Sequence, residues 1–307
     1  MKMFEEIKFD TVPTVLAAWP GMGNVGLITV DYLRRKLETA MFAEIDMSPF
    51  FIPDSIVVKD GIAQLPEIPT SVFYAAHNPD LIIFESNAQI SGREGIMVIK
   101  MLLDVLRQFS VSQIYTFAAF AQPMSHAQES VTFVTCNSQH MLDSVKNHGV
   151  IPMPDGYIAG LNGLLLGVAA SRRIDAACLL GTIPSYATNL NYPKASVELV
   201  KVITKLFGIE IDVSDLQEGI EAMDQQFDMI EERIKEFIPS LNREEEQDIA
   251  EVEDEQVPRV IMDRIEQLFS EAATNREKAT ELKNELDRWK LFELYENRFL
   301  DLFKEKK

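Results

Sequence analysis

Short apolar runs rich in Val, Ile and Phe alternate with longer segments of helical period over the first two thirds of the chain. Seven runs have the length and composition of strands: residues 15–19, 40–46, 71–76, 81–86, 113–119, 131–136 and 176–181. Five segments have the period of helices: residues 25–37, 95–109, 138–147, 161–171 and 193–207. Because strands that alternate with helices form layered domains, we expect an α/β fold.

The dipeptide Asp60-Gly61 separates two further apolar runs, residues 55–59 and 62–65. Asp-Gly between two such runs is a strong signal for a β-hairpin. A hairpin contributes antiparallel strands, so we expect a mixed, mainly parallel sheet.

The strand signal ends after Asp212, where apolar residues begin to recur every three or four positions. This interaction seam consists of Leu216, Ile220, Met223, Phe227, Ile230, Ile234 and Phe237. So narrow a stripe favours contact with a partner helix, within the chain or between subunits, over broad burial on a sheet. We therefore predict a heptad helix of coiled-coil type that Pro239 ends.

The remaining sequence divides into a predominantly acidic stretch and a second helical stretch. We expect an α/β domain over residues 1–212, the heptad helix over 213–239, an acidic linker over 240–257 and a C-terminal helical arm over 258–307. The arm either lies on its own domain or contacts another subunit, and the sequence leaves both open.

Charge and composition exclude several classes of protein. The net charge is -19, and no clustered basic segment is present to neutralise phosphates, so we expect no nucleic-acid partner. The most apolar stretch, residues 157–170, is short and contains Asn162, which argues against a membrane span. Cys136 and Cys178 lie in apolar runs without metal-ligand spacing, which favours a reducing cytoplasm.

The sequence GMGNVG at residues 21–26 satisfies the G-x-G-x-x-G pattern between a predicted strand and a predicted helix. In a dinucleotide site, the loop would bind a pyrophosphate and Asp46, twenty residues on, would bind the ribose. That interpretation uses Gly21, Gly23, Asn24, Gly26 and Asp46. The same glycines also permit close contact between a helix and a strand. We favour this structural role because Trp19 and Pro20 crowd the loop and no residue suited to hydride transfer follows.

A second glycine series, Gly160, Gly163 and Gly167, lies on one face of the helix predicted at residues 161–171. We expect this face to pack closely beneath the sheet, because each glycine otherwise weakens the helix. The alternative is that residues 155–162 line a pocket.

Catalytic and metal-binding patterns are not evident. The histidines lack H-x-x-x-H or H-E-x-x-H spacing, and no serine lies in a G-x-S-x-G elbow. We therefore expect no metal, no cofactor and no catalytic residues, and we lean against an enzyme.

The two glycine motifs occur with further matches in a fixed order, and together they resemble the proteasome-assembly-chaperone family, specifically the second eukaryotic chaperone and its archaeal and bacterial homologues. The resemblance spans residues 12–216. The family-motif residues are Pro20, Gly21, Gly23, Asn24, Gly26, Gln89, Gly160, Asn162, Gly163, Gly167, Pro184 and Tyr186. The resemblance implies a three-layer α/β/α fold similar to nucleoside phosphorylases and peptidyl hydrolases, without their catalytic residues.

The resemblance also implies a function. Members of this family are non-enzymatic, self-associating proteins that bind proteasome subunits and assist their assembly, and many insert a C-terminal tripeptide between ring subunits. This sequence ends LFKEKK and lacks that tripeptide. We therefore expect a cytoplasmic homo-oligomer that binds a protein partner. Proteasome subunits are candidates for that partner, although the docking tripeptide is absent. The alternative is a nucleotide- or nucleoside-binding enzyme or sensor that uses the GMGNVG loop.

Overall fold

The computed structural model describes residues 2–51, 53, 55–237 and 278–288, together with residues 265, 268, 269, 272, 292, 295 and 299. Contacts divide the chain into two compact units, residues 1–237 and residues 238–307. Within the described residues, no helix combines the length and the hydropathy that crossing a bilayer requires.

The first unit contains a large sheet and a separate hairpin. The strands are β1 (Lys2–Met3), β2 (Thr14–Ala18), β3 (Ala40–Glu44), β4 (Val57–Lys59), β5 (Ile62–Gln64), β6 (Ser71–Ala76), β7 (Leu81–Ser86), β8 (Gln113–Gln122), β9 (Thr132–Cys136), β10 (Val150–Pro152) and β11 (Asp175–Pro184). The helices are α1 (Val25–Lys36), α2 (Gly92–Arg107), α3 (Gln139–Val145), α4 (Gly160–Ser171), α5 (Pro193–Phe207) and α6 (Ser214–Phe237).

The large sheet has nine strands in the order β1-β3-β6-β7-β2-β8-β11-β9-β10. The central strands β7, β2, β8 and β11 are parallel to one another. Antiparallel pairs flank this centre, where β6 meets β7 on one side and β9 meets β11 on the other. The sheet is therefore mixed, with its parallel strands in the middle, in agreement with the predicted α/β fold class.

Alternate residues of the central strands face two separate hydrophobic cores. On β2, Leu16 joins the core under α1, α3 and α5, whereas Val15 and Ala17 join the core under α2 and α4. All three side chains are fully buried. Because both faces of a parallel sheet must be covered, this two-sided burial produces the three layers expected from the resemblance.

The predicted hairpin forms at β4 and β5. Asp60 and Gly61 have φ angles of 51° and 77°, the left-handed values that a tight two-residue hairpin turn requires. However, β4 and β5 make a two-stranded sheet of their own. The expectation that this hairpin contributes to the main sheet is wrong, because β3 pairs directly with β6 and leaves the intervening residues outside.

Two central strands are longer than predicted, and two edge strands have no clear signal in the sequence. The strands β8 and β11 pair in register from Gln113 and Asp175 through Gln122 and Pro184. The edge strands β1 and β10 have only two and three residues. Strands so short carry too few residues to display an alternating pattern.

The first unit extends through α6 and does not end at Asp212, because the described part of the seam packs on the same hydrophobic core. Phe227 is buried in this core, and Leu216, Met223 and Ile230 pack against it. The helix lies against α5. Ile220 is partly exposed, and the side chains of Ile234 and Phe237 lie outside the described residues.

The second unit has its own apolar cluster. It contains helix α7 (Lys278–Arg288), which contributes Ala279, Leu282 and Leu286 to a core with Leu268 and Phe299. These residues come from both halves of the predicted 258–307 arm. The predicted acidic linker at residues 240–257 lies outside the described residues.

Candidate functional site

Most of the family-motif residues gather around the carboxyl edge of the parallel strands, where α/β proteins commonly bind their ligands. The glycine loop follows β2, residues 123–131 follow β8, and residues 185–192 follow β11. The amino end of α4 meets the end of β2 through Asn162 and Trp19. Sequence elements far apart in the chain thus form one site.

The backbone groups of the glycine loop are already hydrogen-bonded within the protein. Gly23 N–H donates to the Thr188 carbonyl at 2.8 Å, and the Gly23 carbonyl accepts from Tyr192 N–H at 2.8 Å. Asn24 N–H donates to the Gly21 carbonyl at 3.0 Å. A phosphate would need such N–H groups free. The loop is therefore built to join the segment at residues 188–192, and this geometry disfavours its use as an anion cradle.

Two glycines of this loop allow close approach of the backbone. A Cβ on Gly26 would lie 2.4 Å from the Phe117 carbonyl oxygen on β8, so only glycine lets α1 approach the sheet there. Gly23 has a φ angle of 62°, and a Cβ would lie 3.2 Å from the Tyr192 Cβ. Both positions support the structural interpretation of the motif.

Asp46 lies far from the loop in the sheet order. It follows β3, and both β6 and β7 separate β3 from β2. Its carboxylate instead accepts hydrogen bonds from the Ser48 N–H at 3.1 Å and hydroxyl at 2.7 Å, which lower its pKa. The structure therefore does not bring together the glycines and the carboxylate that the dinucleotide interpretation requires.

Asn162 connects α4 to the end of β2. Its side-chain oxygen accepts from Trp19 N–H at 3.1 Å, and its amide nitrogen donates to the Trp19 carbonyl at 3.3 Å. Its own carbonyl accepts from the Thr116 hydroxyl at 2.8 Å. Asn162 is buried at a place that excludes water. Its side chain therefore supplies the hydrogen bonds that a neighbouring strand would otherwise give to the N–H and carbonyl of Trp19.

Gln89 supports the amino end of the same helix. Its side-chain oxygen lies 3.4 Å from Leu161 N, and a Cβ on Gly160 would lie 2.1 Å from its amide nitrogen. Gly160 also has a φ angle of 79°. Glycine is thus required at residue 160 both for space and for backbone conformation.

The expectation that the glycine face of α4 packs beneath the sheet is wrong. Leu161, Leu165 and Ala169 face the core, while Gly167 is exposed and a Cβ there would contact nothing. Gly163 does make a close contact, but with the Ile158 carbonyl of the preceding loop. The larger apolar side chains of α4 occupy the core side, so the glycines face outward.

The loops after β8 and β11 meet α6 in a polar cluster, which we call the α6 latch and define as His126, Tyr186 and Glu231. His126 is buried, and the other two residues are partly exposed. Glu231 accepts hydrogen bonds from the His126 N–H at 3.0 Å and from the Tyr186 hydroxyl, and it lies 2.9 Å from His126 Nδ1. Ser125 also donates to it at 3.1 Å. Phe227, one turn earlier on α6, stacks on the His126 ring at a centroid distance of 5.8 Å.

The hydrogen bonds of the latch determine its titration. Burial alone would raise the pKa of Glu231, but the bonds from Tyr186, His126 and Ser125 outweigh it and lower this pKa to about 2. Burial, with the bond to Glu231, raises the pKa of Tyr186. A carboxylate with so low a pKa is a weak base. The latch is accordingly suited to attach α6 and poorly suited to proton abstraction.

Glu231 has little signal in the sequence. In the sequence, His126 is one polar residue beyond the strand predicted at residues 113–119, and Tyr186 is one residue of the family motif. Glu231 lies about one helical turn after Phe227 and so shares its face, which is the one signal that links it to the seam. Pro184 is the last residue of β11 and positions the turn that contains Tyr186.

Two cavities lie elsewhere on the sheet. One of about 210 Å³ beside α1 includes Glu85, whose carboxylate accepts from Arg34 Nε at 3.0 Å; burial raises the Glu85 pKa although Arg34 opposes this. The other, of about 340 Å³, includes Cys136 near the edge strands, and burial raises its thiol pKa to about 11. In the part of the chain that the structure describes, no group of three or more His, Cys, Asp or Glu side chains is placed to hold a metal ion.

Fold and site together define an α/β protein in which a helix of the chain itself packs at the carboxyl edge of the sheet. The sequence matches the PAC2 family over residues 15–231, a span that includes the glycine loop, α4 and all three residues of the latch. The chain therefore belongs to the PAC2 family.

Solved structures with this fold include two proteins from Pyrococcus furiosus. PbaB, an archaeal proteasome activator, is similar with a TM-score of 0.66 and 24% identity, over 75% of this chain and 97% of that chain. PbaA, an archaeal homolog of proteasome-assembly chaperone, has a TM-score of 0.59 and 20% identity, over 75% and 92% respectively. An uncharacterized protein of Methanocaldococcus jannaschii is 24% identical over 76% of this chain and 93% of its own length. At such identities the structural likeness establishes the fold.

Proposed function

We propose that this protein is a proteasome-related, chaperone-like protein that binds protein partners and self-associates in the cytoplasm. Membership of the PAC2 family supports this proposal, as does the similarity of the fold to PbaB, an archaeal proteasome activator, and to PbaA, an archaeal homolog of proteasome-assembly chaperone. Two free cysteines suit a reducing compartment.

The observation that carries the proposal is that the polar groups of the family motif and of the α6 latch are hydrogen-bonded within the chain. Gly23, Asn162 and Glu231 each use their hydrogen-bonding groups to connect segments of the chain. A ligand site instead presents such groups toward a cleft. The motif thus supports a rigid surface more than a reaction centre.

That surface includes two connected loops with exposed apolar side chains. Asn24 Nδ2 donates to Asn191 Oδ1 at 2.6 Å, adding a side-chain bond to the backbone bonds between the loops. Met22 and Leu190 adjoin these residues and are about two-fifths exposed. Apolar side chains held on a rigid polar support are typical of protein-binding surfaces.

Binding to proteasome subunits tests the proposal. The full-length chain is mixed with the core-particle subunits encoded by the same genome, and complexes are measured by native mass spectrometry at about 10 µM, sufficient to detect a Kd near 1 µM. We expect a complex that a Met22→Asp, Leu190→Asp double variant weakens at least about tenfold, because charge replaces apolar contact.

A matched control replaces Val12 and Met229, which are likewise exposed but lie outside the two loops, by Asp. This variant should bind as the parent does. A genome without core-particle subunits, or the absence of any complex with them, would overturn the proteasome-related role. Equal binding by the two double variants would overturn the assignment of the surface.

A further inference from the structure

The β4–β5 hairpin exposes an unusual amount of apolar surface. Every residue from Ser55 to Leu65 is exposed. Large apolar side chains on both faces of the ribbon, and in the segment that follows it, are each between 50% and 75% exposed: Ile56, Val57, Val58, Ile62, Leu65 and Ile68. None of these six belongs to either core of the first unit.

This surface is costly to leave in water. A lone two-stranded hairpin is marginally stable, because it has no third strand or helix to bury its side chains. The six exposed side chains follow one another closely on the two faces of the ribbon and in the segment after it, whereas exposed apolar residues on a monomer are normally scattered singly. A standard interface buries about 800 Å² per partner, and paired hairpins with the side chains of both faces packed across the junction supply part of one side of such an interface.

The strand edges of the hairpin are also open. Among the described residues, β4 pairs only with β5, so each strand keeps one edge of backbone N–H and C=O groups unused by the sheet. Open edges recruit further strands. Two identical ribbons related by a twofold axis can pair edge to edge in antiparallel fashion, since the same patch then serves both copies.

The charge of the hairpin favours a second copy over an oppositely charged partner. Residues 55–69 contain Lys59, Asp60 and Glu67 and so have a net charge of -1, whereas the whole chain carries -19. Two copies of so acidic a protein repel each other over most of their surfaces. A nearly neutral apolar patch is where they can meet, and it offers little charge for a basic partner to recognise.

We propose that residues 56–68 form the self-association surface of this protein, with the hairpin of one copy packed against the hairpin of another. This inference rests on the self-association in the proposed function and names its location. It leaves the loops that carry Met22 and Leu190 available to a different protein.

Sedimentation equilibrium on the full-length chain tests the inference. The Val58→Asp, Ile62→Asp double variant should weaken association about 100-fold, because each lost apolar contact of this size contributes about tenfold or more. Both residues are exposed, so the fold of one copy should be retained, which circular dichroism verifies. The Val12→Asp, Met229→Asp variant is the matched control and should associate as the parent does.

Crosslinking provides a second measurement that does not depend on a disruptive change. Gln64 is exposed on β5, and Gln64→Cys treated with a short thiol-to-thiol crosslinker should give covalent dimers, whereas Val12→Cys should not. A monomeric parent would overturn self-association itself. An associated parent that the V58D/I62D change leaves intact, with no Gln64→Cys dimers, would overturn only the hairpin as its surface. Neither result depends on binding to proteasome subunits, which is measured separately.

Discussion

The side chain of Asn162 pairs with both backbone polar groups of Trp19, 143 positions away in sequence. Through this pair, the first turn of α4 is held against the end of β2 inside a water-excluding layer. The two glycine motifs of the sequence are thereby parts of one structure. Their joint occurrence is explained by a contact between them, and a shared ligand is not needed.

Replacing Asn162 by Leu should therefore destabilise the protein by about 2–4 kcal/mol, because two buried backbone groups would lose their partners. Leucine keeps the branching and the number of side-chain heavy atoms but is larger, so the loss combines the missing hydrogen bonds with some crowding. Urea unfolding followed by circular dichroism measures it. Asn191→Leu, at an exposed position, is the control and should cost less than about 1 kcal/mol. Equal effects would contradict the role of Asn162.

Two glycines in helices should respond oppositely to alanine. Gly26→Ala places a Cβ 2.4 Å from the Phe117 carbonyl oxygen, a backbone atom that cannot easily move, and should cost about 1–3 kcal/mol. Gly167→Ala meets open space on α4 and should stabilise by about 0.5–1 kcal/mol through helix propensity. Urea midpoints of the two variants and the parent test this. A destabilised Gly167→Ala protein would show that its helix face is covered.

Much of the fold was predictable because its strands and helices are locally encoded. Because β2 is buried on both faces, its sequence is a continuous apolar run. Helix α5 begins at Pro193 and ends before Gly208, two residues that commonly mark the start and the end of a helix. The orientation of α4 was not predictable, because leucines and glycines both suit close contacts and only the assembled sheet decides between them. The latch was not predictable either, since Glu231 and His126 are 105 positions apart.

Attachment of α6 should depend on one aromatic side chain. Phe227 is almost fully buried and contacts the rings of His126, Tyr186 and Tyr192. Phe227→Ala should therefore cost about 3–5 kcal/mol. Met229, two positions on, is 55% exposed, and Met229→Ala should change stability by less than about 0.5 kcal/mol. Thermal and urea unfolding compare the two. Similar small effects from both would mean that α6 adds little to the first unit.

Nucleotides should not stabilise the protein. The N–H groups of Gly23 and Asn24 donate to backbone carbonyls, and Asp46 is separated from the loop by two strands. A ligand at 100 times its Kd would add about 2.7 kcal/mol to the free energy of unfolding. Thermal-shift measurements with NAD, ATP, nucleosides and phosphate should show no such change. A reproducible rise in Tm with one of them, lost in Asn24→Asp but kept in Asn191→Asp, would establish a site at the loop.

The latch should make part of the stability depend on acid pH. The pKa of Glu231 is about 2 in the folded protein and near 4.5 when the chain unfolds, so the unfolded state binds the proton first as pH falls. The stabilisation from this carboxylate is complete above about pH 5 and is lost as pH falls from 4.5 toward 2. Its size is about 2 kcal/mol once partial exposure to solvent is allowed for.

Glu231→Gln should therefore destabilise the protein by about 2 kcal/mol at pH 7, and the difference from the parent should shrink steadily below pH 4.5. Urea unfolding at a series of pH values measures both free energies of unfolding, and the difference cancels the titration of other carboxylates. Glu198→Gln, which removes a helix-surface pair with Lys201, is the control and should show only a small difference at every pH. A difference between Glu231→Gln and the parent that stays constant down to pH 2.5 would mean that the charge of Glu231 does not hold the latch.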